Sequence, residues 1–306
     1  MKLAYFNKLH WHTRNFAVLA QHFYVVSFCT PDRRDLVGFD VILAPLDYYW
    51  DENLLGGTGV KLIASNTTSD QHIDVDWCER QGIKVLTLEG KSVLQDVSAT
   101  AELTMGLIIA LTRNVFPAKE SVSWNEWSRW EFGGKRMLRN MTLGVIGYGR
   151  LGRMVANYAR AFGMKVLWHD KDIYGDSFEK VVGNSDVVTA HIPLTGNERF
   201  FSDFSQFKDG AYFVNTSRGE IVDDQALVAA LNSSKLAGAA VDVLSGEFEE
   251  MFDVSIHPLV KYAREHDNLI ITPHIGGSTE DAWYITQETI VENILESFGL
   301  NSGSKR

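Results

Sequence analysis

The chain has 306 residues, 45 % hydrophobic and 22 % charged, enough for two packed domains of a soluble globular protein and not the make-up of a membrane-spanning one. A net charge of −10 argues against nonspecific nucleic-acid binding, which depends on lysine and arginine contacts to phosphate. Cys29 and Cys78 are the only cysteines and lack metal-type spacing, so neither a disulfide framework nor a metal site is expected, and both are read as buried thiols.

At the N-terminus a lysine and a short apolar run are not followed by the long hydrophobic region or small-residue cleavage site of a secretion signal, so a cytoplasmic protein is expected. Apolar runs at residues 3–6, 23–26, 41–44, 62–64 and 85–88 alternate with helix-compatible stretches and predict a small α/β domain. Residues 98–112 form a helix with Leu103, Leu107 and Leu111 at four-residue spacing, a bridge into a second domain. Trp124, Trp127 and Trp130 follow at i, i+3, i+6, the spacing of a helical stripe that is usually core.

Beyond residue 143, short runs rich in Val and Ile recur at 143–146, 166–168, 186–190, 211–214, 238–241 and 269–271. Such runs suit strands buried on both faces of a parallel sheet. Helices are expected at 150–162, stopped by Gly163, and at 224–231. Ser278 is placed to cap a final helix in which Ile290, Ile294 and Phe298 share a face, and Gly276 and Gly277 free that helix to return to the first domain. The expected fold is therefore α/β, with two doubly wound parallel-sheet domains. A Rossmann nucleotide-binding domain at 98–278 is inserted in a smaller flavodoxin-like domain of residues 1–97 and 279–306.

The string GYGRLG follows the strand at 143–146 and opens a helix, the context that a dinucleotide fingerprint requires. Gly147 allows the tight turn, Gly149 lets backbone approach a pyrophosphate, and Gly152 lets helix and strand pack closely. Amides near Arg150 and Leu151 face the phosphates. Eighteen residues after Gly152 a strand ends in Asp170, whose carboxylate suits the ribose hydroxyls and repels a 2′-phosphate, favouring NAD over NADP. Lys171 partly opposes that repulsion.

Three further groups end strands of the same domain. Arg218, in a Ser-Arg-Gly turn, can hold a carboxylate through two parallel hydrogen bonds and polarise the neighbouring carbonyl. His274 follows Pro273, and Glu247 lies just beyond another strand end, where a carboxylate can brace one ring nitrogen and favour the imidazolium. Together they supply an anion anchor and a proton donor or acceptor for reducing a 2-keto acid or oxidising a 2-hydroxy acid. An anionic substrate also needs a fixed cation on a protein this acidic.

These segments, GYGRLG, NTSRGE, AGAAVDVLSGE and TPHIGGS, occur in order, and the chain resembles the D-isomer-specific 2-hydroxyacid dehydrogenase family over nearly its whole length. The resemblance implies a catalytic set of Arg218, Glu247 and His274. It also implies cofactor contacts from Thr104, from His191, Pro193 and Thr195 of HIPLT, and from Thr216, Asp242 and Gly276. His191 is the rival for His274, and is placed on the cofactor side because no glutamate occupies a matching position. A homodimer through the tryptophan region is expected by the same resemblance.

The segment at residues 65–74 resembles the family loop whose amides bind the substrate carboxylate, here at Thr68 and Ser69, but its usual glycines are missing. Phe248 stands where proline usually follows the glutamate. The stretch from Pro45 to Trp50 offers no cation for a phosphate, which disfavours a phosphorylated substrate; Tyr49 there suggests an apolar or sugar-like substituent, plain packing of Tyr49 and Trp50 being the alternative. Two other readings stay open: an NAD-binding corepressor-like module without turnover, and a formate- or phosphite-type dehydrogenase on the same scaffold.

Overall fold

Continuous apolar runs become parallel strands in both halves of the chain. The computed structural model describes residues 1–6, 11–194, 196, 199–249 and 252–300. By its internal contacts the chain divides into one unit of Met1–Val97, Phe248–Met251 and Ser278–Arg306, and a second of Ser98–Glu247 and Phe252–Gly277.

The first unit holds β1 (Lys2–Phe6), β2 (Tyr24–Phe28), β3 (Val41–Leu43), β4 (Leu62–Ala64) and β5 (Lys84–Leu86). They form a parallel sheet in the order β2-β1-β3-β4-β5, the flavodoxin-like order, with its reversal between β1 and β3. Alternate residues face opposite layers, which is why the runs read as continuously apolar. Leu3, Val41, Leu43 and Leu62 pack with Leu19, Ile290 and Ile294 on one face. Ala4, Phe6, Ile42 and Ile63 pack with Trp50 and Trp77 on the other. The helix Glu280–Ser297 thus returns to the first unit on the face that Ile290 and Ile294 define, with Phe298 half-buried beside them. Its N-cap is Thr279, whose hydroxyl accepts the Ala282 N–H at 3.2 Å, and not Ser278 as the sequence suggests. The two hydroxyl residues are adjacent, and capping falls to the one whose extended backbone points its oxygen at the first turn.

The second unit holds β6 (Thr142–Ile146), β7 (Lys165–His169), β8 (Val187–Ala190), β9 (Ala211–Asn215), β10 (Leu236–Val241) and β11 (Leu269–Ile271). Its parallel sheet runs β11-β10-β9-β8-β6-β7, so the strand order reverses between β6 and β8. In open α/β sheets ligands bind outside the carboxyl ends of strands at such a switch point. The helices Ala99–Thr112 and Arg150–Ala161 cover one face. Phe201, Phe204, Phe207 and Phe213, with ring centroids 4.9 to 6.5 Å apart, fill the other. The Arg150–Ala161 helix ends as expected, with Gly163 in the left-handed region at φ +79.

One sequence expectation fails on exposure and another on helix continuity. Cys29 is exposed, and only Cys78 is a buried thiol, its titration pushed up to about 11 by burial. The tryptophans do not share a helical stripe: the helix Val115–Ser123 ends at Trp124 and another spans only Arg129–Phe132. Trp124, Trp127 and Trp130 are 73 %, 90 % and 87 % exposed.

One polar cluster holds the start of β8. Asp186, almost buried, accepts from Lys208 Nζ at 2.7 Å, from the Thr142 N–H at 2.8 Å and from Arg136 at 2.6 Å. Burial raises its titration, but these donors outweigh it and hold the carboxyl below its ordinary value. A folded-state value below the unfolded one gives stability that is present above the ordinary carboxylate range and is lost as pH falls through the folded value. An Asp186→Asn variant is expected to unfold about 2 kcal/mol more easily at neutral pH, less than a fully buried pair because both cations are half exposed. Urea midpoints measured from pH 7 down to 3 should converge with those of the parent, and parallel curves would refute the assignment.

Candidate active site

The turn after β6 is built by its glycines. Gly147 has φ +90, and a Cβ there would lie 2.4 Å from the His191 carbonyl oxygen. A Cβ on Gly152 would lie 2.0 Å from the Gly147 carbonyl oxygen, so the helix could not approach the strand. At Gly149 a Cβ would meet nothing within 4 Å. Gly149 is also the helix N-cap and supplies no side-chain acceptor to the first turn, where Arg150 and Leu151 begin the helix. Two glycines are therefore needed by the fold and the third leaves open backbone at a helix N-terminus, the arrangement that takes a pyrophosphate.

Asp170, just past β7, borders the same turn. Its carboxylate accepts the Tyr148 N–H at 2.7 Å and the Asp172 N–H at 2.9 Å, so the acid is fixed beside the glycine turn with lone pairs left for ribose hydroxyls. Across the switch point His191 follows β8, and its N–H bonds the Ile146 carbonyl at 2.7 Å. Its Nε2 is 3.1 Å from Thr189 Oγ1, its Nδ1 is buried with no hydrogen-bond partner among the described residues, and burial pushes its titration down to about 4. Pro193 continues this loop; Thr195 lies outside the described residues. This glycine turn, acid and facing loop fit a dinucleotide.

Arg218 is set by Asn215, the last residue of β9. The buried Asn215 carboxamide accepts the Ser217 N–H at 3.0 Å and its hydroxyl at 2.8 Å, and donates to the Arg218 carbonyl at 2.8 Å. That side-chain staple shapes the Ser-Arg-Gly turn. Gly219 then lies so close to the next loop that a Cβ would fall 2.0 Å from the Leu244 carbonyl carbon. Burial lowers the titration of the Arg218 guanidinium, and the nearby charges of Glu247 and then Glu220 oppose it.

His274 leads the loop after β11 with φ +52. Its N–H bonds the Asp242 carbonyl at 2.8 Å and the Thr272 carbonyl at 3.0 Å. The buried Asp242 carboxylate accepts from Thr272 Oγ1 and from the N–H groups of Ile275 at 3.0 Å and Gly276 at 2.7 Å. Asp242 and Gly276 thus form the frame on which His274 is mounted. His274 Nδ1 lies 2.9 Å from Glu247 Oε1, with the two side chains 30 % and 13 % exposed. Among the described residues Oε1 has no well-aligned donor, so the two groups stand at ion-pair distance, a pair that is charged when the ring is protonated, rather than in a directed hydrogen bond. Thr104 and Thr216, distant in sequence, meet in the same unit: the Thr104 hydroxyl donates to the Thr100 carbonyl at 2.7 Å and lies 2.8 Å from that of Thr216.

The substrate-loop residues belong to the first unit. Thr68 is exposed and Ser69 half-buried. In place of glycines the loop is held by hydroxyls: Ser65 Oγ donates to the Ala44 carbonyl at 3.0 Å and lies 3.1 Å from His72 Nε2, while Thr67 Oγ1 bonds the Ser69 carbonyl at 2.7 Å. Tyr49 is 46 % exposed, whereas Trp50 is fully buried, with Nε1 on the Pro45 carbonyl at 3.1 Å, and is plain packing. Among the described residues no group of three or more His, Cys, Asp and Glu is placed to hold a metal ion. Sequence reading missed Asn215, Gly219 and the framing role of Asp242. The asparagine three residues before the arginine was the one visible signal, since Asn is the residue type that staples turns.

Comparison with known proteins identifies the family. Residues 105–276 match the family described as D-isomer specific 2-hydroxyacid dehydrogenase, NAD binding domain. The chain is 36 % identical over 252 residues to the D-specific alpha-keto acid dehydrogenase of Enterococcus faecium, spanning 78 % of this chain and 76 % of that protein. It is 34 % identical over 255 residues to the hydroxypyruvate reductase of Thermotoga maritima, spanning 80 % and 79 %. The crystal structure of the D-lactate dehydrogenase from Aquifex aeolicus, complexed with NAD and lactic acid, superposes with a TM-score of 0.80 at 27 % identity, covering 97 % of this chain and 95 % of that one. The chain belongs to the D-isomer-specific 2-hydroxyacid dehydrogenases, and its residues 105–276 match that family's NAD-binding domain.

Proposed function

We propose that this protein reduces an unphosphorylated 2-keto acid to the D-2-hydroxy acid, with His274 as proton donor, Glu247 bracing it and Arg218 binding the substrate carboxylate and carbonyl. The observation that carries this reading is the 2.9 Å contact of His274 Nδ1 with Glu247 Oε1, in the unit that also carries Arg218 on a Ser-Arg-Gly turn. NADH, when bound, supplies the hydride to C2. Arg218 orients the substrate carboxylate and stabilises the negative charge that grows on the carbonyl oxygen. Imidazolium at His274 gives that oxygen its proton from Nε2, while Glu247 on Nδ1 fixes the ring and offsets its charge. In the oxidative direction the neutral ring takes the hydroxyl proton. His191 is a poor alternative, since burial keeps it neutral at physiological pH and so without an imidazolium proton to give.

In the first unit, the Thr68–Ser69 turn is proposed to bind the carboxylate through its amides. Tyr49, half-exposed in a stretch without cations, favours an apolar or sugar-like substituent over a phosphate. A panel of glyoxylate, pyruvate, hydroxypyruvate, phenylpyruvate and 3-phosphohydroxypyruvate, assayed with NADH and NADPH, tests both preferences. The phosphorylated acid should be at least about tenfold poorer in kcat/KM, and NADPH should show a KM at least about tenfold above that of NADH, since an unpaired like charge beside Asp170 costs about 1.4 kcal/mol or more. Fast turnover of 3-phosphohydroxypyruvate, or a lower KM for NADPH, refutes the corresponding half. Tight dinucleotide binding without turnover of any acid points instead to a corepressor-like module.

A second copy of the chain is proposed to cover Trp124, Trp127 and Trp130, three tryptophans within seven residues that are each largely exposed. Sedimentation at micromolar concentration should report the mass of two chains. A monomer there excludes the dimer.

A further inference from the structure

Glu220 has no part in the mechanism above, yet it touches both loops that the mechanism uses. It lies in the short turn Gly219–Ile221, immediately after Arg218, and its Oε1 accepts the Gly246 N–H at 3.1 Å. Gly246 has φ +76 and directly precedes Glu247. The turn that delivers Glu247 closes weakly by itself, since the Glu247 N–H reaches the Leu244 carbonyl at only 3.3 Å. The two backbones meet so closely that Gly219 has no room for a Cβ against Leu244 and Ser245. Glu220 therefore crosses this seam with one charge-assisted hydrogen bond to the peptide just ahead of Glu247.

We propose that Glu220 is a positioning residue: by accepting the Gly246 N–H it fixes the turn that aims Glu247 at His274 Nδ1. This rests on the reading of Glu247 and His274 given above. The reach of the acceptor oxygen counts for more than its charge or than the effect of that charge on Arg218, so an amide of equal length serves and a shorter carboxylate does not. Without an acceptor at that distance the Gly246 N–H turns toward water, the left-handed turn relaxes, and the Glu247 carboxylate leaves its place beside the ring.

The test is steady-state reduction of the best keto acid of the panel by NADH in Glu220→Ala, Glu220→Gln, Glu220→Asp, Glu247→Gln and the double variant Glu220→Ala/Glu247→Gln. Glu220→Ala and Glu220→Asp should each lower kcat about tenfold, while Glu220→Gln stays within about threefold of the parent and the KM for NADH moves less than about twofold throughout. In the Glu247→Gln background Glu220→Ala should add no further loss, the signature of a residue acting through its neighbour. Equal loss on both backgrounds, a Glu220→Gln enzyme as slow as Glu220→Ala, or an unimpaired Glu220→Ala enzyme each overturns the proposal. If the alanine variant does not fold, the contrast of glutamine with aspartate decides alone. A Glu247→Gln enzyme with full kcat overturns the parent reading and this proposal with it, and is seen without any change at Glu220.

Discussion

Replacing His274 is expected to lower keto-acid reduction by about 10²–10⁴-fold, the usual loss when a positioned general acid is removed. Alanine is not the cleanest replacement. His274 has φ +52, a left-handed conformation that ordinary side chains adopt only with strain of about 1 kcal/mol or more, whereas asparagine tolerates it. Asparagine also keeps the polar surface toward Glu247 while having no proton to transfer at neutral pH. His274→Asn should therefore show the full kinetic loss with an almost unchanged melting temperature, and His274→Ala the same loss with a somewhat lower one. The dissociation constant for NADH, followed by its fluorescence, should stay near the parent value in both. Asp242 rather than His274 gathers the loop's hydrogen bonds, so the frame survives the substitution. A His274→Asn enzyme that still reduces keto acids at the parent rate ends the general-acid role. An enzyme whose natural reaction has no carbonyl to protonate, as with formate or phosphite, also keeps that activity when His274 is lost.

How much of this was legible in the sequence depends on how local the cause is. The glycine turn was legible because its spacing between one strand and the next helix is local, as is the 2.0 Å approach that Gly152 permits. The His191 carbonyl that Gly147 makes room for follows another strand and left no trace in the motif. Strands were legible because burial on both faces leaves no polar alternation to misread. Asp242 was recognised as important, but its work is to hold Thr272, Ile275 and Gly276, and no local pattern shows which donors a buried carboxylate some thirty residues away will gather. The contact between Gly219 and the Leu244–Ser245 backbone has the same origin: two loops from neighbouring parallel strands are brought together by sheet order alone. Trp124, Trp127 and Trp130 misled for the opposite reason. Their spacing is helical, but the segment breaks between Ser123 and Arg129, and periodicity implies a shared face only where the helix is continuous.

Alanine at Gly149 and alanine at Gly152 are expected to weaken NADH binding by different routes, although the two residues share one motif. At Gly152 the added Cβ would lie 2.0 Å from the Gly147 carbonyl oxygen, which is backbone and cannot turn aside, so the helix must lift off β6. Overpacking of this kind costs about 3 kcal/mol, and lifting the helix also displaces the first-turn amides from a pyrophosphate, so both stability and NADH affinity should fall. At Gly149 the backbone is extended, with φ −73 and ψ −155, and the added Cβ meets no protein atom within 4 Å. Alanine fits the fold there, losing only the modest N-cap advantage of glycine, about 0.5–1 kcal/mol. What it fills is the space through which backbone reaches the phosphates. Gly149→Ala should therefore melt within a few degrees of the parent while its dissociation constant for NADH rises at least about tenfold, and Gly152→Ala should lose both. Calorimetry paired with NADH fluorescence titration reads the two effects separately. If Gly149→Ala binds NADH as tightly as the parent, the open backbone at this turn is not the pyrophosphate site; if Gly152→Ala melts like the parent, the close approach of helix to strand is not what the glycine is for.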